Sequence, residues 1–269
     1  MPTAPDPYLH GHHDSVLRSH QWRTPENSAG YLLPHLSARS SVLDVGCGPG
    51  TITVGLAARA PDGLVVGIDA AADVLAIARQ TASDLGQANV SFEVGDAYHL
   101  GFDDSAFDVV HAHQVLQHLS DPVAALTEMR RVCRQGGVVA ARDSDYGGMI
   151  WFPQDRELTE WLDLYHRVAT ALGGEPDAGR RMLSWARAAG FADVTSSASS
   201  WCFTSPDERS WWGGLWAQRI TGSKIADRAV ELGLATRQDL QRLAAAWLRW
   251  AASDDGWFFI PHGEILCRD

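Results

Sequence analysis

The chain has 269 residues, 45% of them hydrophobic, and a formal net charge of -11. That length and apolar content support one full hydrophobic core with room for a cap, while the acidic balance runs against a nucleic-acid partner, whose binders carry a basic footprint. Its four cysteines, Cys47, Cys133, Cys202 and Cys267, stand far apart without paired spacing, so neither a zinc site nor a disulfide framework is expected.

The opening Met1-Pro2-Thr3-Ala4-Pro5-Asp6-Pro7 is proline-rich and lacks the basic-then-apolar order of a signal peptide. No long uncharged apolar stretch follows, so a cytoplasmic protein without stable membrane association is expected, as a monomer or homodimer. A helix is predicted over 12–21 and another from Thr24-Pro25-Glu26, where an N-cap acceptor, a proline at N1 and a first-turn acid coincide. That second helix should carry Tyr31, Leu32 and Leu36 and end near Leu36. Strand and helix patterns then alternate: strands at 41–46, 63–68, 89–95, 107–112 and 137–143, with helices at 51–60, 71–85 and from Asp121. The last helix has Pro122 at N1, an apolar stripe of Leu126, Met129 and Cys133, arginines at 130, 131 and 134, and Gly136 to close it. Such alternation implies parallel βαβ units with right-handed crossovers.

After the fifth strand the pattern changes. Residues 147–175 read as an inserted helix, 178–189 as another, 192–204 as a strand, 207–252 as mostly helical with Thr236 as an N-cap, and 256–267 as a last strand. The organisation expected is a helical N-terminal lid over 1–40, a ligand-binding core over 41–146, and a helical cap completed by the last two strands over 147–269. Eleven tryptophans are present, six of them between 201 and 250. Most should pack a cap against the sheet, and a minority could wall a flat aromatic substrate.

The densest chemistry lies at three successive strand ends. Val42-Leu43-Asp44-Val45-Gly46-Cys47-Gly48-Pro49-Gly50-Thr51 ends an apolar run in an acid and a triple-glycine turn, Gly67-Ile68-Asp69 ends the next, and Gly95-Asp96-Ala97 the third. Open parallel sheets bind ligands at such carboxyl ends, so a nucleoside-bearing small molecule is expected there. Glycines at 46, 48 and 50 let backbone approach a ligand closely. The spacing departs from G-x-G-x-x-G, and Asp44 before the first glycine would repel a diphosphate but favour an ammonium or sulfonium. Asp69 is placed to accept from ribose hydroxyls, and Asp96 from an adenine amino group.

These three motifs resemble the first three of class I S-adenosylmethionine-dependent methyltransferases. Phe107-Asp108-Val109-Val110 with Val115-Leu116-Gln117-His118-Leu119-Ser120-Asp121-Pro122, and Arg130-Arg131-Val132-Cys133-Arg134-Gln135-Gly136-Gly137, resemble the ubiquinone/menaquinone C-methyltransferase-like branch. Tyr8-Leu9-His10-Gly11-His12-His13 and Trp257-Phe258-Phe259-Ile260-Pro261-His262-Gly263 are similar to a group of actinobacterial and fungal enzymes that includes indole C3-methyltransferases of secondary metabolism. The resemblance implies a Rossmann-like, doubly wound, seven-stranded α/β sheet with an antiparallel last strand and helical cap insertions. It implies S-adenosylmethionine as donor and S-adenosylhomocysteine as product, held by Asp44, Gly46, Gly48, Gly50, Thr51, Asp69, Ala70, Gly95, Asp96, Ala97, Ala112 and His113.

The expected acceptor is a small aromatic molecule, an indole-containing natural product such as a tryptophan-derived cyclic dipeptide methylated at C3 or nitrogen. A quinone precursor, or a donor-binding module without turnover, is the alternative. Candidate substrate contacts are Tyr8, His12, Gln114, Gln117, Trp151, Trp212 and Trp216, with His113, Asp145 and Tyr146 as catalytic candidates; His118 either joins them or braces the next segment. His10, His12 and His13 are expected in the lid, and no metal is expected, because no cysteine or carboxylate stands at ligand spacing beside them.

Overall fold

A computed structural model describes residues 14–269. Five strands run parallel: β1 (Val42–Val45), β2 (Val65–Asp69), β3 (Val90–Val94), β4 (Phe107–His113) and β5 (Cys133–Ser144). The central ones are rich in Val, Leu and Ile because helices cover both faces; β1, Val-Leu-Asp-Val, is buried at every position. The order across the sheet is β3-β2-β1-β4-β5-β8, where β8 (Trp257–Arg268) is antiparallel to β5 and to β7 (Asp193–Phe203), which forms the far edge. This is the expected Rossmann-like α/β sheet with its last strand antiparallel.

One face is covered by α5 (Pro122–Val132) and α7 (Ala178–Ala188), which bury Leu126, Met129, Met182 and Ala186 against Val110, Val139 and Ile265. The other carries α3 (Thr51–Arg59) and α4 (Ala72–Asp84), whose Leu56 and Leu75 are fully buried. Beyond the sheet edge, α6 (Arg156–Ala171), α8 (Pro206–Gly222), α9 (Lys224–Glu231) and α10 (Arg237–Ala251) form a cap with its own core. Trp161 lies at its centre, edge-on to Trp216 at 4.5 Å and to Trp247 at 4.7 Å between ring centroids. Phe258 on β8 packs into the same cluster, so the last strand joins cap and sheet. Thr236 caps α10 as expected, accepting from Asp239 N at 3.1 Å.

Three expectations about elements are corrected. The helix over 24–36 is only α2 (Pro25–Ser28), which the chain leaves at Ala29 (φ -135) just before Gly30; a 3₁₀ turn follows at Leu33–His35, where Pro34 has no N–H to extend a helix. The helix from Asp121 ends at Val132, and Gly136, with φ +74, lies within the following strand. Residues 147–175 are not one helix. Ile150–Phe152 form a short strand, β6, paired with the Trp257–Phe259 end of β8, giving eight strands among the described residues. Pro153 favours extended backbone at Phe152, and α6 starts only at Arg156, capped by Asp155, whose carboxylate accepts from Glu157 N at 2.7 Å.

No helix among the described residues is long and apolar enough to cross a membrane. The expected lid residues Tyr8, His10, His12 and His13 lie outside the described residues. Replacing Trp161 with alanine should remove the centre of the cap core and cost about 3–5 kcal/mol in urea unfolding; a loss under about 1 kcal/mol would contradict the cap as a packed unit.

Candidate active site

Parallel register brings three strand tips level. β1 pairs Val45 with Ile68 on β2, and β2 pairs Asp69 with Val94 on β3. The turns that follow border one cleft of about 300 Å³. β1 and its turn supply Asp44, Gly46, Gly48 and Thr51; the end of β2 supplies Asp69 and Ala70. The turn after β3 supplies Gly95, Asp96 and Ala97, and the end of β4 supplies His113 and Gln114.

Two residues expected at the ligand lie elsewhere. Gly50 opens α3 with φ +79, where a Cβ would stand 2.9 Å from Ala78 Cβ and 3.0 Å from the Phe92 ring, so its role is helix packing. Ala112 is fully buried within β4. Gly46 is the glycine that shapes the cleft: at φ +69 a Cβ would meet Val115 at 2.4 Å.

The acids differ in their duties. Asp69 accepts from Gly48 N and Ala71 N, each at 3.0 Å, and so ties the glycine turn to the end of β2. Asp69 also borders the cleft. Asp96 accepts from Tyr98 N at 2.9 Å and remains half exposed at the rim. Asp44 is 3% exposed and takes a hydrogen bond from His111 Nδ1 at 2.7 Å and from Thr53 Oγ1 at 2.5 Å. Its charge is therefore shared with β4 and α3 before any ligand arrives. Cys47 beside it is inert, its thiol pushed well up by burial.

A second, smaller chamber of about 30 Å³ adjoins the cleft, with His20, Arg23, Gln114 and His118 bordering both. Trp22, Trp201, Trp212 and Tyr146 give it aromatic walls. Gln114 sits at the junction with φ +54, an uncommon conformation for a side chain of its size. There its Nε2 donates to Ser144 Oγ at 2.7 Å and to His262 Nε2 at 3.0 Å, while its Oε1 accepts from Arg23 at 2.5 Å. With Nδ1 of His262 3.1 Å from Ile260 O, the imidazole carries its proton on Nδ1 and accepts at Nε2.

Burial holds His113, His118 and His262 neutral. His118 is pushed down to about 3 by burial, with Arg23 adding to the effect. His113 falls well below the usual histidine range through burial, then Arg23 and Arg142, and among the described residues neither of its ring nitrogens has a hydrogen-bond partner. Gln117 borders the small chamber and its Nε2 meets His118 Nε2 at 3.0 Å. Tyr146 also lines it, stacked on Tyr165 at 3.9 Å.

The other expected substrate contacts are placed away from both cavities. Asp145 is committed to Arg180, accepting from its Nε at 2.7 Å and its backbone N at 3.0 Å, so it anchors the start of α7. Trp151 stacks on Phe258, and Trp216 stacks on Trp247 within the cap core. Of the three tryptophans named from the sequence, Trp212 alone borders the chamber. Sequence reasoning missed Trp22, Arg23, Trp201 and Arg219 there, and Lys224, the chain's one lysine, at the cleft. Trp201 and His262 are brought near by the β7–β8 register, with ring centroids 4.4 Å apart. A single lysine in so long a chain was the one signal for Lys224; the others stand in no motif.

Residues 36–193 match the family described as a methyltransferase domain. An uncharacterized methyltransferase, C1B3.06c, of Schizosaccharomyces pombe is 36% identical, covering 97% of this chain and 96% of its own. A probable methyltransferase, ltbC, of Aspergillus luteorubrus is 32% identical, covering 96% of each. Among solved structures, the YcgJ protein of Bacillus subtilis has the same fold, with a TM-score of 0.59 at 20% identity over 90% of this chain and 98% of that one.

Asp143, fully buried behind the chamber, gives a pH signature. Its Oδ1 accepts from Gln117 N at 3.2 Å, yet burial raises the carboxyl to about 7 against the opposing pull of Arg142 and Arg23. Between about pH 4 and 7 the unfolded chain has lost this proton while the folded one keeps it, so folding stability falls as pH rises through that window. Asp143→Asn removes the titration. Relative to the native chain, it should gain on the order of a few kcal/mol in urea unfolding on going from about pH 4 to about pH 8; an unchanged difference would contradict the protonated carboxyl.

Proposed function

The chain belongs to the methyltransferase-domain family, as an S-adenosylmethionine-dependent enzyme, and from that premise we propose that it methylates a small, planar aromatic acceptor, an indole among them, at carbon or nitrogen. The observation that carries this reading is the chamber with indole and phenol walls that shares four bordering residues with the strand-tip cleft. Flat aromatic walls favour a flat aromatic guest.

The residues of the cleft suit the donor. Among the described residues, three carboxylates, Asp44, Asp69 and Asp96, stand against one lysine and one arginine, a balance that disfavours a diphosphate and suits a sulfonium. Gly46, at φ +69 and packed against Val115, has no room for a Cβ, so the turn bordering the cleft requires glycine. We read Asp69, at the cleft, as the acceptor for ribose hydroxyls and Asp96 as the acceptor for an adenine amino group. When bound, S-adenosylmethionine supplies an electrophilic methyl group carried on a positively charged sulfur.

On this reading the chain's own contribution is mainly positional. Gln114, held by Ser144, His262 and Arg23, fixes the boundary between donor and acceptor spaces. Such near-attack alignment can account for much of a displacement's acceleration. His113 and His118, kept uncharged by burial, place no positive charge beside the sulfonium. Their depressed basicity makes them weak proton acceptors, which suits an acceptor atom such as indole C3 that is nucleophilic as it stands. His113 is thus assigned to the wall beside the donor rather than to proton abstraction.

The direct test is methyl transfer read by mass spectrometry across indoles, tryptophan-containing cyclic dipeptides, phenols and demethylated quinones. A gain of one methyl on an indole acceptor supports the reading, and transfer confined to quinones overturns it. Asp69→Ala should weaken S-adenosylhomocysteine binding about 10- to 100-fold, the loss of charge-assisted hydrogen bonds worth roughly 1.5–3 kcal/mol; unchanged affinity in calorimetry would remove Asp69 from the donor site.

A further inference from the structure

The chain of 269 residues has a single lysine, Lys224. It is exposed and stands first in α9. Helix stability does not account for it there, because the N-terminus is already the positive end of the helix dipole and disfavours a cation. An internal ion pair does not account for it either. Asp227, three residues on, is engaged by Arg237 at 2.6 Å, and among the described residues Lys224 makes no ion pair. Lys224 does border the strand-tip cleft, as the one described residue of α8, α9 and α10 that reaches it.

The contacts that bring it there run through the N-terminal helix, α1 (Asp14–Gln21). Arg219 of α8 donates through Nη2 to Ser19 Oγ at 2.8 Å and to Ser15 O at 3.2 Å, so the end of α8 rests on α1. Ser223, between α8 and α9, donates through Oγ to Arg219 O at 2.8 Å and sets where α9 begins. α1 in turn rests on the glycine turn: His20 O accepts from Thr51 Oγ1 at 3.1 Å, and a Cβ on Gly48 would stand 3.7 Å from His20 Nδ1. Lys224 thus enters the cleft from the side of the β1 turn, whereas Asp96 lies at the rim that follows β3.

We propose that Lys224 recognises the carboxylate of S-adenosylmethionine. This rests on the assignment of the strand-tip cleft to the donor. With ribose at Asp69 and adenine at Asp96, the methionyl part extends toward the β1 turn. It carries the donor's anionic group, which Asp44, Asp69 and Asp96 repel. A lysine is a compact charge on a long flexible stem, suited to reaching a carboxylate from the rim of an open cleft. The cap, which otherwise shapes only the neighbouring chamber, then also holds the donor. The contact is one of binding, and no bond of the carboxylate is made or broken.

The test is calorimetry on the full chain with three probes: S-adenosylhomocysteine, its decarboxylated analogue, which keeps the amino group, and 5′-methylthioadenosine, which has neither group. Lys224→Met should weaken S-adenosylhomocysteine about three- to tenfold without weakening the other two, and Lys224→Arg should retain most of the affinity. Thermal melting without ligand establishes that each variant is folded. Because Lys224 is the only lysine, its acetylation in the native chain can be followed by mass spectrometry apart from that of the N-terminus. S-adenosylhomocysteine should slow it severalfold and 5′-methylthioadenosine should not. The proposal is overturned if Lys224→Met leaves S-adenosylhomocysteine affinity unchanged, if it weakens all three probes equally, or if S-adenosylhomocysteine does not slow the acetylation. Asp69→Ala separates the two readings. If it weakens all three probes while Lys224→Met weakens none, Lys224 alone is discarded; if no probe responds to Asp69→Ala, the cleft assignment falls and the proposal with it.

Discussion

The arrangement of the site depends on one carboxylate shared between two loops. Asp69 takes a backbone N–H from Gly48 on one side and from Ala71 on the other, so the glycine turn after β1 and the start of the segment after β2 cannot move independently. The parallel register of β1 with β2 and of β2 with β3 makes this possible by bringing their tips to one edge. With the turns fixed, Gly46 lies where a side chain would strike Val115, so glycine is required at that wall of the cleft. The other acids are graded by depth: Asp44 is bound into the core by His111 and Thr53, and Asp96 stays at the rim. A ligand with a cationic centre and a nucleoside end meets carboxylates along its length.

The cap answers a different demand. Most of its tryptophans serve cohesion, as the edge-on set of Trp161, Trp216 and Trp247 indicates, and aromatic surface of that size lets a few helices form a core of their own. Only its inner margin faces the sheet. There Trp212 and Arg219 from α8 meet Trp22 and Arg23, which follow the N-terminal helix Asp14–Gln21, and Gln114 from the end of β4. On the proposed reading, specificity is separated from donor binding: the strand tips border the larger cleft, while cap and N-terminal residues shape the neighbouring chamber.

What was legible in the sequence was local. An apolar run ending in an acid and a glycine turn announces a buried parallel strand and its tip, which is why Asp44, Asp69 and Asp96 were found together. What was missed depends on pairing. Asp44 and His111 meet because β1 and β4 place them in register, and Trp201 approaches His262 because β7 and β8 do. Neither relation has a sequence signal at the residues concerned. β6, three residues long, is too short for a period-2 pattern to stand out from the helix that follows it. Asp145 looked like a polar strand end aimed at substrate; only the fold brings Arg180 across to it. The tryptophans of the cap recur at helical spacing whether they face a core or a ligand, so composition alone could not sort Trp212 from Trp216.

The measurement that tests the central claim most directly is a crystal structure of the full chain with S-adenosylhomocysteine. The account predicts ribose hydroxyls at Asp69, the adenine amino group at Asp96, and the sulfur turned toward the junction bordered by Gln114 and His118. A sulfur facing solvent, or a ligand seated away from the β1–β3 tips, would contradict it.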